Sequence, residues 1–298
     1  MIQSIDEYLH QLREELTGSD SATVQDALSD AEEHLRTALN SALEKSQADV
    51  LEGDALPPII EKYGLPADIA RAYREIEVRV QPAFLKPALR TDRWSIFSQF
   101  FSVFADPRAW GALLYLLFSL VTGIIYFTWA VTGISVSLGL LVLIIGLPVA
   151  GLFLLSVRGI ALVEGRIVEA LLGVRMPRRS FFTRRNIGWW AQFKALVTEK
   201  RTWIAMIYMV LQLPLGIIYF TVFVTLIAVS LYGIASPVLQ LGFDLPVYYV
   251  NGVSYYLVGW MLPLAVIGGI LLATLTMHLS RYVGRLHGVM AKKLLVRV

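Results

Sequence analysis

Hydrophobic positions along this chain change rhythm near residue 94. Before it, apolar side chains recur every three or four positions between acidic ones; after it, they form long uninterrupted runs. Ile5, Leu9, Leu12 and Leu16 predict a first amphipathic helix, with Ser4 and Glu7 placed as a capping box. Gly18, Ser19 and Asp20 break it. Val24, Leu28, Ala31, Leu35, Ala38, Leu39 and Leu43 predict a second helix, with Asp26, Asp30, Glu32 and Glu33 on its exposed side. Pro57 and Pro58 open a short helix over 59–63, which Gly64 closes. Pro66 suits a first-turn position ahead of Ile69, Ala70, Tyr73 and Ile76. These segments predict a small helical domain over residues 1–80, with a core modest enough to lean on a partner or a second copy. Residues 81–93, with Pro82 and Pro87, read as a linker.

Crossing a bilayer takes about 20 apolar residues in a helix. Four stretches meet that length, near 109–131, 134–157, 203–229 and 257–279. The expected fold class is therefore all-α: a small soluble helical domain plus a polytopic α-helical membrane domain over 94–298, with four transmembrane helices in two tandem repeats.

The repeat is read at an offset of 93 residues. Gln99-Phe100 matches Gln192-Phe193, Arg108 and Trp110 match Arg201 and Trp203, and Tyr115 matches Tyr208. Gly123-Ile124-Ile125-Tyr126-Phe127-Thr128 recurs identically as Gly216-Ile217-Ile218-Tyr219-Phe220-Thr221. An identical hexapeptide flanked by matching Arg, Trp and Tyr does not arise readily by chance. Each unit, 94–174 and 187–298, reads as an interfacial helix, a span, a turn near 132–134 in the first copy, and a second span. Two spans per unit predict copies running in the same sense. The interfacial segments carry Trp94, Phe97, Phe100, Phe101 and Phe104, and then Trp189, Trp190, Phe193, Leu196 and Val197. The second copy gains an insert of roughly 30 residues that holds Tyr232, Asp244, Tyr248, Tyr249, Asn251, Tyr255 and Tyr256. Two readings stay open for it: contact with a ligand or partner, or an aromatic belt at the headgroups.

Charge sharpens the division. Residues 1–80 hold 17 of the 23 Asp/Glu and 7 of the 26 Lys/Arg. Lys and Arg crowd the segment before the first span, the loop between spans two and three, and the tail, whereas 230–256 carries only Asp244. The positive-inside rule then places both termini in the cytoplasm of a bacterial inner membrane. The opening segment 2–16 lacks the basic and apolar regions of a secretory signal, so residues 1–80 are expected to stay where they are made.

Chemistry is sparse. The chain has no cysteine, which excludes disulfides, thiol nucleophiles and Cys-ligated metals. His10, His34, His278 and His287 show no metal or catalytic spacing, and no phosphate-binding or hydrolase motif occurs. No cofactor, metal or nucleic acid is expected, and no enzyme activity. Glu164 and Glu169 read as part of the basic inner segment after span two. The spans would then be free of ionisable groups, which argues against a proton-coupled pump.

Two resemblances cover nearly the whole chain. Tyr8-Leu9, Leu12, Asp30-Ala31-Glu32-Glu33-His34 and Tyr63-Gly64-Leu65-Pro66-Ala67-Asp68-Ile69-Ala70 resemble the HAAS-type signalling domain, with Leu65 departing from its usual turn. Trp110, Leu114-Tyr115, Leu213-Pro214-Leu215-Gly216-Ile217-Ile218-Tyr219-Phe220-Thr221 and Gly139-Leu140-Leu141 with Gly146-Leu147-Pro148 are similar to the bacterial "putative sensor" membrane domain. The resemblances imply a sensor or signalling adaptor whose partners are membrane lipid, a cytoplasmic signalling protein bound through residues 1–80, and a second copy of itself. A transport subunit and a membrane scaffold stand as alternatives.

Overall fold

The structure is a computed structural model that describes residues 2, 4–45, 52–79, 100–140, 142, 146–177, 193–194 and 197–296. The linker at 81–93, and Trp94, Phe97, Trp189, Trp190 and Leu196 of the expected interfacial helices, lie outside the described residues.

Four helices form the N-terminal domain: α1 (Ile5–Glu15), α2 (Ser21–Lys45), α3 (Glu52–Tyr63) and α4 (Pro66–Arg79). Ser4 caps α1 by accepting from the Glu7 backbone N–H at 3.1 Å. Helix α3 starts five residues earlier than Pro57 suggested, so both prolines sit inside it. Pro66 is the first residue of α4, as its fixed φ favours. Tyr8, Leu12, Leu16, Leu35 and Leu56 fill the core. Two tyrosine hydroxyls tie its edges. Tyr8 donates to the Gly64 carbonyl at 2.8 Å and Tyr73 to Asp30 at 2.6 Å. Burial raises both pKa values, reinforced at Tyr8 by the charges of Tyr63 and Asp68 and at Tyr73 by the Asp30 hydrogen bond, so both act as donors.

A 3₁₀ turn (Ser102–Ala105) leads into four helices long and apolar enough to cross a membrane: α5 (Pro107–Leu140), α6 (Gly146–Leu172), α7 (Lys200–Phe243) and α8 (Met261–Leu295). Their outward faces carry large apolar side chains such as Leu114, Phe118, Ile207, Ile218 and Leu264, while Ser119, Thr122, Thr202, Gln212, Thr274 and Ser280 are buried. A helix bundle in lipid packs this way, with small and polar residues between helices and apolar ones outside.

Four expectations need correction. The turn near 132–134 does not exist, because α5 runs on to Leu140 and α6 begins at Gly146. Gly133 serves a close approach instead: a Cβ there would stand 2.0 Å from the Phe153 ring. The second span therefore moves from 134–157 to Gly146–Leu172, which brings Glu164 inside a span. Much of the insert in the second copy is helical, since α7 continues to Phe243. The rest includes a hairpin of β1 (Tyr248–Val250) and β2 (Val253–Tyr255), so the chain is not purely α. Asn251 and Gly252, with φ of 52° and 82°, make the two-residue turn that an Asn-Gly pair favours.

The packing order departs from expectation as well. Within each unit the helices are antiparallel, Gly111 beside Leu171 and Gly269 beside Ser230 and Ile234. Between units, Gly123 of α5 meets Gln212 and Leu213 of α7, while Gly216 meets Ser119 and Leu120. On α8, Ser280 bonds Ala109, Gly284 abuts Ala112 and His287 bonds Tyr115, in rising order on both helices. Helices α5 and α8 thus run alongside in one sense and α5 and α7 in opposite senses. The units meet reciprocally, through the same segments of each and in opposite senses, rather than running in the same sense. Two ion pairs brace the meeting, Arg158 with Glu199 and Arg281 with Asp106 at 3.1 Å.

The crossing of α5 and α7 depends on two glycines. A Cβ at Gly123 would lie 2.7 Å from the Gln212 carbonyl oxygen, and one at Gly216 would lie 2.5 Å from that of Ser119. Alanine at either position should therefore destabilise the bundle by about 1–3 kcal/mol. Gly139→Ala and Gly268→Ala, which meet nothing within 4 Å, should leave stability unchanged or slightly raised. Thermal unfolding of the four variants in mild detergent compares them; equal effects at all four would reject the crossing.

Candidate functional site

Where the units meet, α5, α6, α7 and α8 each contribute polar side chains to one buried centre. Glu164 of α6, 1% exposed, accepts three hydroxyls. Tyr115 donates to Oε1 at 2.6 Å, Tyr208 to Oε1 at 2.8 Å and Tyr126 to Oε2 at 2.8 Å. Tyr115 and Tyr126 come from α5 and Tyr208 from α7. From α8, the His287 Nε2 lies 2.6 Å from the Tyr115 hydroxyl and 3.2 Å from that of Tyr208. The Tyr219 hydroxyl lies 3.4 Å from His287 Nδ1. Gln212 donates to Tyr115 at 3.2 Å, and its own Oε1 has no partner among the described residues.

Each of Tyr115, Glu164, Tyr208 and His287 sits eight residues from the end of its helix, at Pro107, Leu172, Lys200 and Leu295 respectively. At 1.5 Å per residue that is about 12 Å inward. Among the described residues no Lys or Arg pairs with Glu164; the carboxylate is held by hydroxyls alone. A buried carboxylate needs such donors, because charge taken out of water without them is costly.

The contacts come in corresponding pairs. Tyr126 bonds Glu164 as Tyr219 approaches His287; Arg158 pairs with Glu199 as Arg281 pairs with Asp106. Trp110 and Trp203 each donate to a carbonyl six residues back, Phe104 and Val197, both at 2.8 Å. Tyr115/Tyr208, Tyr126/Tyr219 and Asp106/Glu199 are 93 apart in sequence, whereas Glu164/His287 and Arg158/Arg281 are 123 apart. The 30 extra positions match the insert in the second copy. That shift in offset was the available signal. Glu164-Gly165 with Leu171-Leu172 answers His287-Gly288 with Leu294-Leu295. Following the offset of 93 alone missed both central residues, and assigning Glu164 to the inner segment hid it further.

Of the repeat motif, Gly123, Gly216, Tyr126 and Tyr219 take part in the crossing or the centre, while Thr128 and Thr221 face outward. The tyrosines of the insert lie elsewhere. Tyr232 donates to the carbonyls of Pro246 and Val247, at 3.2 and 3.0 Å, and Tyr256 to that of Asp244 at 3.2 Å. Asp244 caps α7 in the left-handed region, Asn251 forms the hairpin turn, and Tyr248 pairs with Tyr255 across the strands. Tyr249 is paired with Ser254 in the backbone register. These described contacts fasten the hairpin to the end of α7 and do not converge on a common point.

A cavity of about 90 Å³, with room for a few water molecules, lies near the centre but is not lined by its side chains. Gly165, next to Glu164 in the chain, lines it together with Leu162, Arg158, Arg201 and Leu295, and Gln25 of the N-terminal domain covers it. Arg201 donates to Gln25 at 3.1 Å, and Lys292 pairs with Asp20. The N-terminal domain is thus seated over the ends of α7 and α8.

Removing one hydroxyl from the centre should be felt. Tyr126→Phe and Tyr208→Phe should each cost about 1–3 kcal/mol, the range for hydrogen bonds to charged groups. Tyr126→Phe in a Glu164→Gln background should cost much less. A double-mutant cycle by denaturant unfolding in detergent measures the coupling; additive losses would mean the hydroxyl does not act through Glu164. Tyr232→Phe, at the exposed hairpin, should leave bundle stability within about 0.5 kcal/mol.

No curated protein and no solved structure matches the chain. Residues 115–295, which include every member of the tyrosine, glutamate and histidine centre, match the family model described as "Putative sensor". Covering more than half of the chain, that match makes it a member of the "Putative sensor" family.

Proposed function

We propose that this protein is a non-enzymatic sensor and signalling adaptor of the bacterial inner membrane, with its N-terminal domain in the cytoplasm. Its two membrane units are tandem copies that respond to a membrane or envelope signal, and the acidic N-terminal domain passes the response to a cytoplasmic regulatory protein. The observation that carries this reading is the seat of the N-terminal domain on the helix ends, through Asp20–Lys292 and Gln25–Arg201. The seat is polar, with Gln25 buried and Asp20 and Lys292 part-buried, so each contact depends on where Arg201 and Lys292 are held. A modest rearrangement of α7 and α8 is therefore enough to release the domain. Family membership and the resemblance of residues 1–80 to HAAS-type domains both favour a signalling role, and the basic helix ends favour the cytoplasmic placement. Lipid contact follows from the apolar outer faces, and a second copy is a candidate partner for the modest N-terminal core.

A second reading, the membrane subunit of a transport system, draws on one observation. Glu164 and His287 are ionisable groups buried in candidate spans, and such groups commonly mark ion or proton pathways. This also removes the earlier argument against proton coupling.

Affinity purification from native membranes in mild detergent separates the readings. The full-length protein should retain a kinase or transcriptional regulator, and a form lacking residues 1–80 should lose it. A transporter ATPase retained by both forms would replace the sensor reading with the transport one. The charge reversal Lys292→Asp should raise protease sensitivity of the N-terminal domain, and adding Asp20→Lys should restore protection. Unchanged digestion in the single variant would count against the seat.

A further inference from the structure

We propose that Glu164 and His287, bridged by Tyr115 and Tyr208, form a proton-binding site. This deepens the sensor reading by naming its ligand.

The argument begins with counting hydrogens. Tyr115 has one hydroxyl proton and two short neighbours, Glu164 Oε1 and His287 Nε2, both at 2.6 Å. It can donate to only one of them. With Glu164 ionised, Tyr115 donates to the carboxylate and accepts from the Nε2–H of His287. A proton added to this chain of bonds reverses it. Nδ1 of His287, which faces the Tyr219 hydroxyl, takes up the proton, Nε2 passes its own to Tyr115, and Tyr115 passes its own to Glu164. The acid O–H then donates to Tyr115, whose hydroxyl donates to Nε2 of the still neutral His287. Tyr208, at 2.8 Å from Glu164 and 3.2 Å from His287, offers a parallel bridge. One proton is thus taken up, no covalent bond between heavy atoms changes, and the bonds along the chain reverse direction. Two short bonds on one hydroxyl make the reversal possible without displacing a side chain.

No Lys or Arg hydrogen-bonds or pairs with Glu164 among the described residues. Among the described residues Arg158 pairs with Glu199, Arg166 with Glu169 and Arg281 with Asp106. What faces Glu164 from α5 is Tyr115 and Tyr126, from α7 Tyr208, and from α8 His287 through the bridges. The carboxylate itself is closed to solvent, and the nearby cavity reaches its helix only at Arg158, Ala161, Leu162 and Gly165.

Uptake has a mechanical consequence. Neutralising Glu164 turns three charge-assisted hydrogen bonds into ordinary ones, roughly half as strong. Two of them hold α6 to α5 and one holds α6 to α7. The wall that loosens is the one beside Arg158 and Arg201, against which the N-terminal domain sits.

Infrared titration of the full-length protein in lipid nanodiscs reads the site directly, because a protonated carboxylic acid in dry surroundings has its own carbonyl stretch. A band that grows as pH falls, is missing in Glu164→Gln, and shifts its midpoint by about one pH unit or more in His287→Asn is the expected result. Tyr115→Phe should shrink that His287→Asn shift. No titrating band, or one unaffected by Glu164→Gln, overturns the site. A coupled measurement keeps the sensor reading separate. The native chain has no cysteine, so nitroxides on His10→Cys and Leu286→Cys report one distance. If the band titrates and the distance follows it, both readings stand. If the band titrates and the distance stays fixed, the proton site stands and the sensor reading fails. If the distance changes with lipid composition while no band titrates, the sensor reading stands and the proton site fails.

Discussion

A carboxylate removed from water must be given hydrogen-bond donors, and that requirement organises the middle of this protein. Glu164 obtains its donors from two other helices, because no neighbour on its own helix supplies them. The hydroxyls of Tyr115, Tyr126 and Tyr208 arrive in register only if α5 and α7 cross near Gly123 and Gly216, where backbone meets backbone. The glycines bring the helices close, and the closeness lets the tyrosines reach. Polar networks of this kind are high-stakes: satisfied, they select one arrangement of the helices; half-satisfied, they cost more than an apolar core.

From that centre the other features fall into order outward. Ion pairs flank it, Arg158–Glu199 on one side and Arg281–Asp106 on the other. Beyond them lie the helix ends that carry the N-terminal domain, and in the other direction the apolar parts of the spans lead away. The insert of the second unit lies at one of those far ends, with Tyr232 and Tyr256 bonded to nearby carbonyls. Its contacts fasten a hairpin, and the chemistry sits in the segments that both units share.

Much of this was legible in the sequence, and the failures have physical causes. Helical rhythm located the N-terminal helices because their cores face one way, as at Leu12, Leu35 and Ala70. Four spans were countable because apolar length is a one-dimensional property. Their ends were not, since a bundle buried in itself tolerates charge inside a helix; Arg158 and Glu164 therefore looked like loop residues. Gly133 was read as a turn because glycine serves both turns and close approaches, and only the Phe153 ring distinguishes them. Asn251-Gly252 carried a hairpin signal that the surrounding tyrosines overshadowed. Tyr115, Tyr126, Tyr208 and Tyr219 were visible as repeated positions. Their function was not, because it depends on two residues that occupy one place in the pattern and differ: Glu164 and His287.

That difference bears on how such a molecule can arise. Two separate chains of a single unit, assembled as a symmetric dimer, would carry the same residue at both central positions. An acid would face an acid, or an imidazole an imidazole. Two positions on one chain are free to differ, so that a carboxylate in one half meets a base in the other.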